Sequence, residues 1–167
     1  MIVGGYDVAA VPEISYGLQR GGVARVLSRL AMRSAARVVP FSAAALRETR
    51  ENAGIPERAI ALIPLGVADA GPVPTGPRDI VLTVARVDAE NLHRKGLLDV
   101  ARTARLLTCE TVIAGEIADE RVAQTLREVA GPMLRLVGRV TDAELLALQA
   151  RAFAYLQLSR HDGFGLA

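Results

Sequence analysis

The sequence predicts an α/β chain built on a parallel sheet with flanking helices, and three observations carry that prediction. Short β-rich runs alternate with longer helical stretches, the rhythm of successive βα units. Ile80 to Ala85 is an unbroken apolar run, as a strand buried on both faces requires. Most of the strand-like runs are followed by loops that contain glycine or proline. The 167 residues suffice for one ordinary domain or for pieces of two.

The elements follow in order. Residues 23–36 read as a helix with an apolar face of Val23, Val26, Leu27, Leu30 and Ala31, beside a basic ridge of Arg25, Arg29 and Arg33. Arg37 to Phe41 reads as a short strand. Ser42 is a good N-cap for a helix over Ala43 to Asn52, which Gly54 stops. Ala59 to Ile63 reads as another strand. Residues 68–78 hold the densest proline and glycine content and read as a linker, so residues 1–67 and 79–167 are expected to form separate domains. After it come the strand Ile80 to Ala85, a polar loop, a helix at 96–107 and a strand at Thr111 to Ala114. A helix at 118–129, a strand at 134–137, a helix at 141–149 and a strand at 152–156 complete the pattern. The last residues form a glycine-containing loop.

Composition excludes several classes. Hydrophobic residues make up 51% and charged residues 23%, which supports a packed core and argues against disorder. Aromatics are 4% and tryptophan is absent, so a stacking platform for single-stranded nucleic acid is not expected. The net charge of +2 is too small to mark a nucleic-acid protein, although residues 1–67 carry 8 arginines against 5 acids. Cys109, the only cysteine, allows no disulfide framework and fits a reducing, cytoplasmic setting. The start has no basic region before an apolar one, and no stretch has the ~18 apolar residues a span needs. The basic ridge fits a solvated helix face, or peripheral contact with an anionic membrane through Arg25, Arg29 and Arg33.

In a parallel sheet, ligands sit beyond the carboxyl ends of the strands. Four segments occupy that edge: Arg86 to Gly96, Gly115-Glu116, Gly138-Arg139-Val140 and Ser159 to Gly165. Arg86 and Lys95 form a pair of cations suited to a diphosphate, and would stabilise charge developing on a departing one. Of 20 basic residues Lys95 alone is lysine, which singles out a compact ammonium in that loop. Both also fit solvated loop charges. The two histidines, His93 and His161, lie near the predicted cleft, and His161 beside Asp162 is the better candidate for a ligand contact. No spacing of histidines and carboxylates suits a metal, and neither a Walker lysine loop nor a Gly-x-Gly-x-x-Gly fingerprint is present.

These motifs resemble the C-terminal domain of retaining family-4 glycosyltransferases, enzymes of the Rossmann-like GT-B fold. The matching run is Ala85-Arg86-Val87, then Arg94-Lys95-Gly96, Val112 to Glu116, Leu136 to Val140 before Glu144-Leu145, and Ser159 to Leu166. Val38 to Ser42 and Ile63 to Val67 resemble the end of the N-terminal domain. The resemblance implies a partial GT-B architecture and transfer of a sugar, with retention, from a nucleotide-sugar to a saccharide or lipid-linked acceptor, and the lack of an Asp-x-Asp or other metal-ligand spacing leads to the expectation of no metal or other cofactor. It implies that Arg86 and Lys95 hold the donor diphosphate and that Gly138, Arg139 and Val140 run beside the base. Gly115 and His161 join the donor contacts. Asp162 matches the first of two carboxylates and would meet the sugar, with Gly163, Phe164 and Gly165 placing amides near it.

Three features depart from the family pattern. The loop from Arg86 to Lys95 is longer, aspartate stands at 162 in place of glutamate, and the second carboxylate is expected three residues past Ala167. The chain is therefore expected to be a fragment. A non-catalytic remnant that binds nucleotide or self-associates is the alternative of a different class. Another GT-B enzyme, an epimerase or phosphorylase, is a third.

Overall fold

The computed structural model describes residues 1–67 and 76–165, and most of the expected linker lies outside them. The described residues divide into two compact units: 1–67 together with 161–165, and 76–160.

The larger unit is a parallel four-stranded sheet. Its strands are β3 (Ile80–Val84), β4 (Glu110–Ala114), β5 (Leu134–Gly138) and β6 (Ala152–Tyr155), in the order β5-β4-β3-β6. Strand β3 runs in register with β4 from Ile80 opposite Glu110 to Val84 opposite Ala114. Both faces are covered, as the apolar run at 80–85 requires. Helices α5 (Leu97–Ala104) and α6 (Glu120–Ala130) bury Leu97, Val100, Ala101, Val122 and Leu126 with Ile113 and Leu134 on one face. On the other, Ile80, Leu82, Val112 and Ala114 pack with Val137, Val140 and, from α7 (Asp142–Arg151), Leu148. Asp119 caps α6, and Thr141 with Glu144 forms a capping box on α7.

The segment after β3, expected as a polar loop, contains a short helix α4 (Ala89–Arg94). Asp88 starts it by accepting from Asn91 N at 2.8 Å through Oδ1. Two bidentate pairs stitch the strand starts on the amino side. Arg135 grips Glu110 at 2.7 and 2.9 Å, and Arg151 grips Asp79 at 3.0 and 2.7 Å. These hydrogen bonds hold both carboxyls below their ordinary pKa. A lowered native pKa stabilises the fold above the unfolded value and stops doing so as pH falls through the native one. Glu110→Gln is accordingly expected to cost about 0.5 kcal/mol near neutrality, since the pair is well solvated. The deficit should shrink below pH 4.5, the ordinary value for Glu110. Urea melts at two pH values check this.

The smaller unit pairs β1 (Ile2–Val3) with β2 (Val39–Pro40) in parallel. Around them lie α1 (Gly5–Val8), α2 (Gly22–Ser34) and α3 (Ala43–Glu51), closing on Val3, Val8, Met32, Val38, Ala45 and Ile55. Ser42 caps α3 as expected, accepting from Ala45 N at 3.0 Å. The strand expected at 59–63 is instead a 3-10 turn at Glu57–Ala59 and a single bridge from Ile60 to Val38. Ala61 and Ile63 still donate to the carbonyls of Val38 and Pro40, so the segment runs beside β2.

Helix α2 lies the other way round from the reading of its periodicity. Val23, Val26, Leu27 and Leu30 are between 56 and 75% exposed, while Ser28 and Met32 are buried and Arg25 and Arg29 are half-buried. A polar network makes this possible. Gln19 Nε2 donates to Ser28 Oγ at 3.1 Å and to the Asp7 carbonyl at 2.9 Å, and Arg29 donates to Gln19 Oε1 and to the Asn52 carbonyl. Burial, then the neighbouring Arg25 and Arg33, lowers the Arg29 pKa. Arg29 is thus a structural tie, whereas Arg33 is exposed.

Candidate functional site

The strand order creates the site in the larger unit. The chain adds β4 and then β5 on one side of β3, then returns to lay β6 on the other. The strand order therefore reverses between β3 and β6, and open sheets of this kind hold ligands beyond the carboxyl ends of the strands at such a point. The loop after β3 is residues 85–96, which carries Arg86 and Lys95.

Arg86 lies exposed beyond β3, with its Nε 3.4 Å from both Asp88 Oδ2 and Glu116 Oε2. Asp88 also accepts from Asn91 Nδ2 at 3.1 Å, and Asn91 Oδ1 accepts from Arg94 at 2.6 Å. Asn91 is buried, so this chain of polar contacts fixes the loop. Lys95 is half-buried at the carboxyl end of α4, its backbone N–H bonding the Asn91 carbonyl at 3.0 Å. Gly96 follows with φ +68°, and a Cβ there would lie 2.2 Å from the carbonyl oxygen of Leu158. Only glycine lets the segment after β6 pass so close to the loop after β3. Arg160 N donates to the Arg94 carbonyl at 2.9 Å and closes the same junction.

The other edge residues continue from there. Gly115 N donates to the Gly138 carbonyl at 2.9 Å, and Val87 N to the Glu116 carbonyl at 2.8 Å, so the ends of β3, β4 and β5 are joined. A Cβ on Gly115 would meet the Ala85 oxygen at 2.1 Å. Arg139 is exposed, and it and Val140 line a cavity of about 330 Å³ with Val137 and Glu144. Arg86, Gly115 and Gly138 are thus gathered on one sheet edge by backbone pairing.

The remaining candidates group with the smaller unit. His161, Asp162, Gly163, Phe164 and Gly165, read in the sequence with the domain starting at 79, cluster with the compact unit of the first residues. Close packing of Gly163 on Gly5 accounts for this, since a Cβ on Gly163 would lie 2.9 Å from Gly5 N. Asp162 is half-buried. Sequence reasoning missed Asp88 and Asn91; an aspartate cap before Ala89-Glu90 was the available signal. Among the described residues, no group of three or more His, Cys, Asp or Glu side chains could hold a metal ion.

The architecture is a Rossmann-like α/β fold, parallel strands flanked by helices, and it matches that of solved glycosyltransferase structures. The structure is similar to sucrose-phosphate synthase from Thermosynechococcus elongatus, at TM-score 0.73 and 19% identity over 99% of this chain and 45% of that one. It is also similar to the lipopolysaccharide outer core galactosyltransferase WaaB, at TM-score 0.64 and 19% identity over 89% of this chain and 42% of that one. TarM of S. aureus, in a complex with Fondaparinux, alpha-GlcNAc-glycerol and UDP, aligns at TM-score 0.69 and 13% identity over 97% of this chain and 32% of that one. The chain therefore spans less than half the length of these structures. No family model and no curated protein matches the sequence.

Proposed function

We propose that this chain is the donor-handling part of a retaining family-4-like glycosyltransferase, which moves a sugar from a nucleotide-sugar to an acceptor hydroxyl without a metal. The observation that carries the reading is Lys95 and Arg86 on the loop leaving β3 where the strand order reverses, on a fold shared with glycosyltransferases. The ammonium and guanidinium stabilise the charge that develops on the departing diphosphate, the role a metal fills elsewhere. Arg86 is held by two carboxylates at 3.4 Å, so a diphosphate displaces weak pairs rather than tight ones. Gly115, Gly138, Arg139 and Val140 offer backbone to the nucleoside, while Asp162 and the amides of Gly163 to Gly165 orient the sugar. TarM, described with UDP and a glycosylated glycerol, favours a nucleoside diphosphate product and a saccharide acceptor.

Incubating the full-length protein with UDP-glucose, GDP-mannose or ADP-glucose and an acceptor panel tests the reading. Acceptor-dependent release of nucleoside diphosphate that survives chelation of divalent ions is expected. Release abolished by the chelator would contradict the metal-free mechanism, and no release with any donor would contradict the activity.

A lipid-linked acceptor would bring α2 to an anionic surface. Residues 14–47 hold six arginines and no acid, and the apolar face of α2 is open. Arg33→Glu combined with Leu27→Ser should abolish cosedimentation with phosphatidylglycerol vesicles, and unchanged cosedimentation would refute the contact. Among the described residues, no helix is long and apolar enough to cross a membrane.

The edge strand β6 favours the alternative of self-association, because Phe153 and Tyr155 are exposed on it. A dimer by sedimentation that Phe153→Lys dissolves would support that reading.

A further inference from the structure

The residues that hold the 161–165 loop lie far away in sequence, at the junction of β2 and α3. Ser42 Oγ donates to the Gly163 carbonyl at 2.5 Å while its lone pair caps α3. Six residues on, Glu48 accepts from His161 Nε2 at 2.8 Å, with the two side chains 19% and 11% exposed. His161 Nδ1 is buried with no partner, so Glu48 makes the ring's one hydrogen bond among the described residues. Tyr16 packs on that ring at 5.2 Å between centroids, and Phe164 meets Phe41 edge-on at 6.2 Å. Beneath these ties, Gly5 and Gly163 touch backbone to backbone. Ordering a glycine-containing loop carries a conformational cost, and each tie offsets part of it.

We infer that Ser42 and Glu48 are positioning residues that fix the Asp162-Gly163 segment for the donor sugar. This rests on the donor-loop reading of residues 161–165 proposed above. Ser42 sets the orientation of the peptide after Gly163, and Glu48 sets the His161 ring on which the start of the loop turns. Small displacements of groups that orient a substrate lower the chemical step more than binding.

Two pairs of variants separate positioning from folding. Ser42→Asp keeps an N-cap of similar quality but cannot donate to the Gly163 carbonyl, whereas Ser42→Thr does both. Glu48→Leu removes the acceptor for His161, whereas Glu48→Gln keeps one. Amide hydrogen exchange of residues 161–165 and steady-state transfer from UDP-glucose, GDP-mannose and ADP-glucose are measured on the full-length protein. In Ser42→Asp and Glu48→Leu, exchange at Gly163 and Gly165 should accelerate and kcat should fall about tenfold, less than the ~10²-fold of a 1 Å misplacement, with donor KM changed less. The Thr and Gln variants should restore both. Unchanged exchange in Ser42→Asp and Glu48→Leu would overturn the inference, as would faster exchange with wild-type kcat. No transfer by the wild type with any donor would overturn the glycosyltransferase reading instead, while exchange still decides whether the two residues anchor the loop.

Discussion

Lys95→Ala is expected to lower kcat for sugar transfer by about 10²–10³, the loss seen when one preorganised stabiliser of developing charge is removed. Lys95 is half-buried at the end of α4, and its backbone is fixed through Asn91. On the proposed reading, an anchored backbone limits the reorganisation needed to keep the ammonium at the departing diphosphate. Lys95→Arg should recover only part of the rate, because a planar guanidinium does not reproduce a compact ammonium. Arg86→Ala should cost less, since Arg86 is exposed and shared between Asp88 and Glu116. A rate for Lys95→Ala close to wild type would remove the assignment.

Gly96→Ala is expected to destabilise the larger unit by about 3 kcal/mol, combining a left-handed backbone with overpacking. The added methyl would sit 2.2 Å from the Leu158 oxygen and 2.8 Å from its carbonyl carbon, both backbone atoms that cannot rotate away. Gly138→Ala is the control. Its φ of +71° is similar, but nothing lies within 4 Å of the added carbon, so about 1 kcal/mol is expected. Denaturant melts of the two variants measure the difference directly. Equal losses would mean that the close approach of the two loops contributes nothing.

How much of this was legible in the sequence depended on what each feature rests on. Strands β3 and β4 and helices α5 and α6 follow the hydrophobic pattern, because strands covered on both faces write their burial into local composition. Helix α4 did not show, since Ala89–Arg94 is too short for a period and only the Asp88 cap announces it. In α2 the periodicity identified a helix but not its buried side. That side is set by Gln19, the Asp7 carbonyl and Asn52, partners remote from the helix's own pattern.

Of the site, the residue types on the carboxyl edge were legible from glycines and cations after strands. Their assembly was not. That β6 returns beside β3 is encoded by no local run, yet it brings the segment after β6 against the loop of Lys95 and Gly96. The Glu48–His161 pair spans 113 residues and left no sequence signal at all.

The most direct test of nucleotide binding at this sheet edge is to map backbone amide shifts by NMR during a titration with UDP. Saturable changes are expected at Arg86, Lys95 to Leu97, Gly115-Glu116 and Gly138 to Val140, strongly weakened in Lys95→Ala. Saturable changes confined to other surfaces, or no binding of UDP, GDP or ADP at millimolar concentration, would contradict it.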